Sequence, residues 1–445
     1  MKTSFYNLMF EYEDKSVVYN TLSGSLLSVS TKDKDKLSCL FLDEVKDIEN
    51  NESKDIYKEL GMVIENDFDE YSYLKARFWK SKFIDNTMRM MLCTTFNCNF
   101  HCDYCFENIP NKKRIISKMS PAVEDAIYHF VEQRIHELKT IDIHWFGGEP
   151  LLNTEPIFSL GKRLSQLALD NNVRIIQDII TNGYLLDKKL ASKLLESGVS
   201  EAQITFDGPK VVHDKRRYCN KKTSSFDRML KNIIDIQDEM IVKIRVNTDR
   251  RNIDDMCTFI DELISAGINS RTRVHFGMAR NFNQGALMSN ELKADEFRKK
   301  IHPVYSYAIS KGINIDYGVS VKPKLTVCDA AKRNTIHVGP DGIVWKCFPL
   351  IGTSRGQCGN IMDYKQMKVT DSELLYMSYD PFVYEKCRTC KLLPICMRRC
   401  PYDDMCLNIN NSMCNFYMID EIKERISLIL QSGNKNNNIE RIVQL

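Results

Sequence analysis

The sequence lacks the features that would assign it to a membrane-bound or nucleic-acid-binding class. It contains no apolar run near the ~20 residues that a membrane-spanning helix needs. Its first residues lack a signal peptide's apolar region and small-residue cleavage site. The formal charge over 445 residues is only +3, with the basic residues dispersed, which gives a nucleic-acid footprint little support. We therefore expect a cytoplasmic protein with no membrane or nucleic-acid partner.

Cysteine, by contrast, is plentiful. In a reducing compartment, 16 cysteines in a long chain favour metal ligands over a disulfide framework. Three fall within residues 98–105 and nine lie from Cys328 to Cys414. The remaining four are scattered, and we interpret them as small buried residues. This uneven distribution predicts at least two metal sites.

The middle of the chain alternates between strand-like and helical patterns, which predicts a parallel sheet with helical crossovers. Six strands are predicted, at Met88–Thr94, Ile141–Phe146, Arg174–Thr181, Ala202–Phe206, Val242–Asn247 and Arg273–Gly277. Six such units make an open, partial (β/α)6 version of a TIM-like barrel, so the expected fold class is α/β. In such folds the chemistry lies at the carboxyl ends of the strands.

The regions on either side of this barrel have different patterns. Residues 1–85 show strands followed by three helical patterns, around Lys34–Val45, Ser53–Ile64 and Glu70–Phe83, an arrangement that resembles a winged helix. Residues 316–425 are rich in loops and cysteine, so bound metal would supply part of their stability. Residues 426–445 form a tail with a polar, asparagine-rich stretch. The predicted domains are therefore 1–85, 86–315, 316–425 and 426–445.

The first cysteine group directly follows the first predicted barrel strand. Cys98, Cys102 and Cys105 can ligate three irons of a [4Fe–4S] cluster from a single loop. The fourth iron then has no protein ligand and is open to a substrate that binds metal directly. Zinc is the alternative, but a three-cysteine zinc site needs a fourth protein ligand or a water.

This loop resembles that of the radical S-adenosylmethionine (SAM) superfamily, and motifs at later strand ends agree with it. Residues 145–150 resemble the family's GGEP motif, and His213, Asp214 and Arg217 map onto its HDxxR pattern. The resemblance covers about residues 88–280. It implies an enzyme that uses a [4Fe–4S] cluster to cleave SAM into a radical.

The same resemblance implies which residues contact SAM. Glu149 would accept hydrogen bonds from the methionine ammonium. A guanidinium suits the methionine carboxylate, so Arg217 is the candidate, with Arg216 as the alternative one register step away. Tyr104 would pack on adenine, and Asn247 would contact ribose. The predicted set is Tyr104, Gly147, Gly148, Glu149, Thr205, Arg217 and Asn247.

The second cysteine region resembles the seven-cysteine SPASM motif, which holds two auxiliary [4Fe–4S] clusters, so three clusters are expected in total. By this resemblance the first auxiliary cluster is bound by Cys328, Cys347 and Cys400. The second would be bound by Cys387, Cys390, Cys396 and Cys414. Cys406 is an alternative to Cys414, and a zinc ribbon is the alternative to the Cys387–Cys400 part.

The chain departs from the fully ligated SPASM pattern at one position. Some members have a further cysteine shortly before the position of Cys328, whereas residues 321–324 here are Val-Lys-Pro-Lys. Either Cys358 completes the first auxiliary cluster, or one iron is open and available to a substrate thiolate.

Two branches of SPASM proteins compete for the function. Anaerobic sulfatase-maturating enzymes, which form formylglycine, have an Asp after the cysteine that corresponds to Cys347, where this chain has Phe348. They also lack a domain like residues 1–85. Many maturases of ribosomally made peptides carry an N-terminal winged-helix element that binds a leader peptide by strand addition.

We therefore expect a peptide maturase of the sactipeptide or ranthipeptide type, which forms thioether cross-links from Cys to carbon. Its expected partners are a precursor peptide and a flavodoxin- or ferredoxin-type reductant. Formylglycine formation and carbon–carbon cross-linking are the alternatives among enzymes. An iron–sulfur electron carrier is the alternative outside them.

Overall fold

The computed structural model describes most of the chain. The described residues are 1–40, 53–84, 86–105, 118–220, 222–280, 290–316, 321–324, 328–366, 368–398, 400–402, 419–433, 439 and 441–444. Cys406 and Cys414, the two candidates for the last SPASM ligand, lie outside these residues.

The chain divides into two compact units. The first unit combines Met1–Ile84 with Val319–Lys332 and Ser378–Leu445, and the second combines Asp85–Gly318 with Arg333–Met377. Both units therefore draw residues from the predicted segment 316–425. The assignment of 1–85 to peptide recognition and of 316–425 to auxiliary clusters stays a prediction.

The first unit begins with a small antiparallel sheet. Its strands are β2 (Asn7–Tyr12), β3 (Lys15–Asn20) and β4 (Ser25–Ser30), while β1 (Lys2–Thr3) pairs separately with β5 (Val63–Ile64). A 3-10 segment, Thr31–Leu40, follows β4, and the helices are Lys54–Glu59, Glu70–Phe83, Glu385–Arg388, Leu393–Cys396 and Ile419–Gln431. Val18 and Leu27 on the sheet and Tyr57 on a helix belong to one buried cluster. The three strands come before the helices Lys54–Glu59 and Glu70–Phe83, which is the order of elements expected for residues 1–85, and the winged-helix assignment stays a prediction.

The second unit is built on parallel strands that contain all six predicted barrel strands. They are β6 (Thr87–Thr95), β7 (Thr140–Gly147), β8 (Arg174–Thr181), β9 (Val199–Phe206), β10 (Ile241–Thr248) and β11 (Arg273–Met278). Each is parallel to the next. The α/β fold class with a large parallel sheet is thus confirmed.

Four shorter strands extend this sheet at its two edges. β12 (Asn314–Ile315) lies beside β11, and β13 (Thr335–Val338) is parallel to β6 on the opposite side. The antiparallel strands β14 (Ile343–Trp345) and β15 (Gln357–Asn360) complete the order β12-β11-β10-β9-β8-β7-β6-β13-β14-β15. Part of the cysteine-rich region, with Cys347 and Cys358, is therefore continuous with the barrel sheet.

The crossover helices begin at residues whose side chains can cap a helix N-terminus. Ser120, Asp187 and Ser224 each cap a helix with a side-chain oxygen that accepts a backbone N–H, as N-cap residues do. The helices of this unit are Pro121–Glu132, Glu155–Asp170, Lys188–Glu196, Lys210–Arg216, Ser225–Ile236, Met256–Ser265, Ala294–Ser310 and Asp371–Ser378. Apolar side chains from strands and helices, such as Trp145, Phe206 and Phe259, are fully buried. This packing places the carboxyl ends of the strands on one edge of the sheet.

A last strand, β16 (Arg441–Gln444), belongs to the first unit. It pairs in parallel with β4 from Ser25 to Ser28, so the sheet order there is β16-β4-β3-β2. In the described part of the chain, no helix has the length and apolar character needed to cross a membrane.

Candidate active site

The three clustered cysteines lie on the loop that leaves the carboxyl end of β6. Phe100 N lies 3.3 Å from Cys98 Sγ, and His101 N donates to the carbonyl of Tyr218 at 2.9 Å. Asn182 Nδ2, at the end of β8, donates to Asn99 Oδ1 at 2.7 Å and lies 4.0 Å from Cys98 Sγ. Contacts from neighbouring strand ends thus hold the loop over the sheet.

The chemistry of these thiols suits a metal-bound state. Burial raises the pKa of Cys98 to about 12 and that of Cys102 to about 11. At neutral pH each thiol keeps its proton unless a metal replaces it, because the thiolate is the form that ligates metal. Three thiols that face one cavity fit a cluster with three protein ligands, and no Asp, Glu or His is among the described residues that line this cavity.

The cavity has a volume of ≈ 430 Å³, within the roughly 300–1,000 Å³ of small-molecule sites. It brings the three cysteines together with all but one of the residues predicted to contact SAM. These residues are Cys98, Cys102, Cys105, Tyr104, Gly147, Gly148, Thr205, Arg217 and Asn247. They come from the ends of three strands, from the end of the helix Lys210–Arg216 and from the cysteine loop, so only the fold makes them neighbours.

The two glycines of the GGEP-like motif have a specific reason to be glycine. A Cβ on Gly147, whose φ is +138°, would lie 2.1 Å from the carbonyl oxygen of Thr95, and one on Gly148 would lie 2.5 Å from that of Asn97. Their closest neighbours are thus the backbone of the cysteine loop. Gly148 N also donates to Thr95 O at 3.0 Å. The glycines let this loop lie directly against the end of β7.

Glu149 is the one predicted SAM contact that is not in the cavity wall. It is fully buried, and its oxygens accept hydrogen bonds from Thr181 Oγ1 at 2.7 Å, Asn182 N at 2.8 Å and Leu151 N at 3.0 Å. Burial raises its pKa, although these three donors oppose the shift. In this structure Glu149 ties the end of β7 to the end of β8, and its contact with the SAM ammonium stays a prediction.

Arg216 and Arg217 occupy very different surroundings. Arg216 Nε lies 2.9 Å from Asp207 Oδ2, and its Nη1 lies 3.0 Å from both oxygens of Asp249. Arg217 instead donates from Nη1 to the hydroxyl of Tyr104 at 2.7 Å and lines the cavity. Arg216 is therefore neutralised inside the protein, and Arg217 is the arginine that faces the cavity.

The other members of the HDxxR-like motif support this arrangement without entering the cavity wall. His213 is fully buried and accepts a hydrogen bond from Asp207 N at 3.4 Å through Nδ1. Burial lowers its pKa well below the usual value, so the imidazole stays neutral. Asp214 Oδ1 accepts from Phe226 N at 3.0 Å, which fixes the start of the next helix.

Several cavity residues were not predicted as site residues from the sequence. Met91, Phe146 and Phe348 form an apolar wall, in which the Phe146 and Phe348 rings pack edge to face with centroids 5.2 Å apart. Arg245 enters from β10. The signal for Met91, Phe146 and Arg245 was present, because alternate residues of each predicted strand point to one face. Phe348 lies far along the chain and carried no such signal.

The second cysteine region is distributed over both units. In the first unit, Cys390 N donates to the carbonyl of Cys387 at 3.2 Å, and Cys396 N donates to that of Leu392 at 2.8 Å. Burial raises the pKa of Cys328 to about 12, and nearby Cys400 adds to the shift. Cys347 and Cys358 belong to the second unit. The assignment of Cys328, Cys347 and Cys400 to one auxiliary cluster stays a prediction.

Cys358 has close polar neighbours of its own. Its thiol donates to the carbonyl of Gly356 at 3.4 Å. Burial raises its pKa, Glu373 adds to the rise, and Lys346 lowers it. Lys346 is fully buried and donates from Nζ to the carbonyl of Thr335 at 2.8 Å. Cys358 is therefore a close neighbour of the Lys346 side chain.

Comparisons with known proteins agree with this site. Residues 92–275 match the Radical SAM superfamily. The chain is 23% identical over 438 residues to the radical SAM cyclopropyl synthase TigE of Paramaledivibacter caminithermalis, covering 89% of each chain.

Two solved structures share the fold. One is anSMEcpe with bound AdoMet and Kp18Cys peptide, at a TM-score of 0.57 and 18% identity over 78% of this chain and 99% of that one. The other is Streptococcus suis SuiB bound to the precursor peptide SuiA, at a TM-score of 0.53 and 14% identity over 90% of this chain and 95% of that one.

Proposed function

Because this chain carries a radical SAM domain over residues 92–275, we propose that it is a maturase that modifies a ribosomally made precursor peptide and forms thioether cross-links from Cys to carbon. The observation that carries the proposal is the cavity in which Cys98, Cys102 and Cys105 meet Tyr104 and Arg217. A [4Fe–4S] cluster with SAM bound there supplies a 5′-deoxyadenosyl radical that abstracts hydrogen from carbon.

The residues of the chain bind and orient the reactants. Arg217 is held by the Tyr104 hydroxyl, which in turn donates to Asp207 Oδ1 at 2.7 Å. The guanidinium is thereby fixed toward the cavity, where it would bind the methionine carboxylate. Asn247 and Thr205 would hold the ribose side. Met91, Phe146 and Phe348 exclude water from the apolar wall, which protects a reactive carbon centre from side reactions.

Three features support a peptide as the substrate. The solved SuiB structure holds a precursor peptide, and the anSMEcpe structure holds a peptide beside AdoMet. The first unit also has a small sheet that can accept an extended chain, since β16 already pairs with β4. We place the leader peptide on this β4 edge, where it would replace β16 by strand addition.

Deleting residues 434–445 tests this placement of the leader. Removal of β16 frees the β4 edge, so a fluorescently labelled precursor peptide should bind several-fold more tightly, with uncoupled SAM cleavage unchanged. Deleting residues 1–85 should instead abolish tight binding. If the two deletions leave peptide affinity as it is in the full chain, the leader does not bind this sheet.

The identity of Phe348 argues against formylglycine formation. It lines the cavity directly after Cys347, at the position where sulfatase-maturating relatives have an Asp. No Asp or Glu lines the described part of the cavity, so a carboxylate base is missing from that wall. Thioether formation is compatible with this wall, because Cys328, Cys347 and Cys400 would hold a cluster whose open iron would supply a binding site for a substrate thiolate.

The surroundings of Cys358 favour such an open iron. Successive side chains of an extended segment point to opposite faces, and Cys347 adopts an extended conformation. Cys358 lies by the side chain of Lys346, the residue directly before Cys347. Because the side chains of Lys346 and Cys347 point to opposite faces, Cys358 lies on the face away from the Cys347 thiol. We therefore propose that Cys358 is not a ligand of the first auxiliary cluster.

Carbon–carbon bond formation is the second candidate, favoured by one observation. The relative that aligns over 89% of this chain is named a cyclopropyl synthase. The two reactions are distinguished by the fate of the substrate thiol. Thioether formation blocks alkylation of the precursor's cysteine by iodoacetamide, whereas carbon–carbon bond formation leaves the cysteine reactive.

Anaerobic reconstitution with iron and sulfide, followed by reduction with dithionite or a flavodoxin, tests the proposal as a whole. The maturase should form 5′-deoxyadenosine and a peptide that has lost two hydrogens per cross-link. Fewer than about eight irons per chain would exclude three clusters. Cluster reduction without any 5′-deoxyadenosine would identify an electron carrier instead.

A further inference from the structure

Arg245 is a half-buried arginine that no predicted function uses. It lies on β10, and its side chain reaches toward the carboxyl end of the strand, where Nε donates to Asn247 Oδ1 at 2.9 Å. The guanidinium lines the cavity that also contains the cysteine loop. It is therefore placed among the groups that would surround a substrate.

The neighbouring strand is adapted to this guanidinium. A Cβ on Gly277 of β11 would lie 2.6 Å from Arg245 Nη2 and 3.0 Å from its Cζ. Any side chain at that position would displace the arginine from its present place. Arg245 can therefore occupy this position only because residue 277 is a glycine. The φ of Gly277 lies outside the left-handed region, so the glycine is needed for space and not for its backbone conformation.

The charge of Arg245 has no counter-ion in the described structure. No carboxylate oxygen of the described residues lies within 4.0 Å of its nitrogens, whereas Arg216 is paired with both Asp207 and Asp249. The nearest influence of opposite charge comes from Asp316, which lies 3.3 Å from Lys243 Nζ. His275 adds no second positive charge, since burial lowers its pKa to about 4 and keeps it neutral.

Burying an unpaired cation is costly, and structures normally pair it or leave it for a ligand. Burial lowers the pKa of Arg245, which is the direction expected for a cation without a partner. The described cavity wall contains arginines and no Asp or Glu. The missing negative charge must come from whatever binds.

We propose that Arg245 binds a carboxylate of the substrate, which deepens the proposed peptide function by naming an acidic side chain near the reacting carbon. Nε is engaged by Asn247, and the two Nη groups remain to grip both oxygens of an Asp or Glu side chain. The methionine carboxylate of SAM is the other carboxylate that enters this cavity. Arg217 is the arginine tied to the cysteine loop through Tyr104, so it takes that role and leaves Arg245 for the substrate.

The test uses two neutral-capped probes, N-acetyl-glutamate amide and its uncharged isostere N-acetyl-glutamine amide, with the reconstituted full chain saturated with SAM. Their binding is measured by ligand-observed NMR, and SAM affinity is measured separately by calorimetry. The glutamate probe should bind about 10-fold or more tightly than the glutamine probe, as expected for loss of a charge-assisted hydrogen bond. In Arg245→Met the preference for glutamate should disappear, while SAM affinity should fall much less than the affinity for the glutamate probe, because Arg245 would act on SAM only through its hydrogen bond to Asn247.

Two further variants separate position from folding. Gly277→Ala keeps the charge but displaces the guanidinium, so it should lose the glutamate preference as Arg245→Met does. Arg273→Met removes an exposed arginine from the same face of β11 and should behave as the unaltered protein. Arg245→Lys should restore only part of the preference, because an ammonium cannot grip both oxygens.

The remaining outcomes overturn the inference in identifiable ways. Equal binding of the two probes would mean that Arg245 does not recognise a carboxylate. A fall in SAM affinity in Arg245→Met that matches the fall in probe binding would assign Arg245 to the methionine carboxylate. Neither readout requires a modified peptide, so a failure of the maturase proposal alone would leave the glutamate preference intact.

Discussion

The two ends of the parallel sheet both carry charged side chains on the inward face, but they differ in how these charges are paired. Toward the amino end three cations have acidic partners in the protein: Arg89 with Asp142, His144 with Asp178 and Lys243 with Asp316. At the carboxyl end, Arg217 and Arg245 line a cavity whose described wall has no Asp or Glu. Paired charge at one end stabilises the sheet, and unpaired charge at the other leaves room for ligands.

Arg216 and Arg217 repeat this contrast within two adjacent residues. Arg216 is enclosed by two carboxylates, whereas the guanidinium of Arg217 donates to the neutral hydroxyl of Tyr104. A charge that the fold neutralises cannot also bind a ligand's charge. The position of counter-ions thus distinguishes structural from ligand-binding arginines, although both types are buried.

The largest expected effect follows from removing a cluster ligand at the carboxyl end. Cys98→Ala should abolish 5′-deoxyadenosine formation after dithionite reduction, because only two thiolates of the loop remain. Cys257→Ala, at a scattered cysteine on the helix Met256–Ser265, is the matched control and should keep full activity. Cleavage of SAM by the Cys98 variant at the control rate would contradict the site assignment.

A second variant tests whether the glycines serve the cysteine loop. Gly147→Ala places a methyl group 2.1 Å from Thr95 O, so the loop must move and the variant should hold much less iron at the loop. Gly267→Ala also has a positive φ, +87°, but no atom within 4 Å of its Cβ. Backbone strain is common to both, so iron content that falls equally in the two variants would refute a role for the close approach.

A third test compares a paired with an unpaired arginine directly. Arg216→Met leaves the buried Asp207 without its cation, whereas Asp249 keeps its ion pair with Arg251, and this loss should lower the free energy of unfolding by about 3–5 kcal/mol. Arg245→Met removes a charge that has no counter-ion, so stability should stay the same or rise. Urea denaturation of the two apo variants measures both values. Equal destabilisation would mean that Arg245 has a counter-ion in the protein.

The smallest effect is expected from a titratable pair at the amino end. Burial opposes the charged form of His144, but its hydrogen bond and ion pair with Asp178 outweigh this and raise its pKa above 6.5. The pair therefore contributes stability that is complete below pH 6.5 and is lost as the pH rises through the folded-state value. The contribution is expected to be about 1 kcal/mol or less.

Asp178→Asn should remove that part of the pH dependence, which denaturation curves on both sides of neutrality would detect. Asp125→Asn, at an exposed acid that pairs with Arg163, is the control and should leave the slope in place. An unchanged slope in Asp178→Asn would show that the amino-end charges are not coupled as the distances indicate.

The local sequence was sufficient to predict the bounds of those helices and strands that have a clear hydrophobic periodicity. The helix Glu70–Phe83 and the strand Arg174–Thr181 have the bounds that their patterns predict, and the other barrel strands differ by one to three residues at an end. The helix expected at Lys34–Val45 shows where this fails. Its described part is a 3-10 segment, Thr31–Leu40, with Asp33 outside helical geometry, because the Lys and Asp residues there provide few apolar side chains to hold an α-helix; residues 41–45 lie outside the described residues.

The site residues also divide into those that the sequence identified and those that needed the structure. The spacing of Cys98, Cys102 and Cys105 identified the loop, and the strand-end motifs identified most of the cavity. The motif alone could not choose between Arg216 and Arg217. It also assigned Glu149 to the SAM ammonium, which stays a prediction, and it did not anticipate the three protein donors on that carboxylate.

The sequence by itself determined which residues form the parallel strands, where the cysteine loop lies in the chain and what kind of chemistry to expect, since each depends on neighbours within a few residues. Tertiary structure alone decided which charges are neutralised. Asp249 lies 33 residues from Arg216 in the chain, and Gly277 meets Arg245 only because β10 and β11 are adjacent. Coulomb energy depends on distance in space, and pairing partners in a folded chain come from whichever strands the sheet brings together.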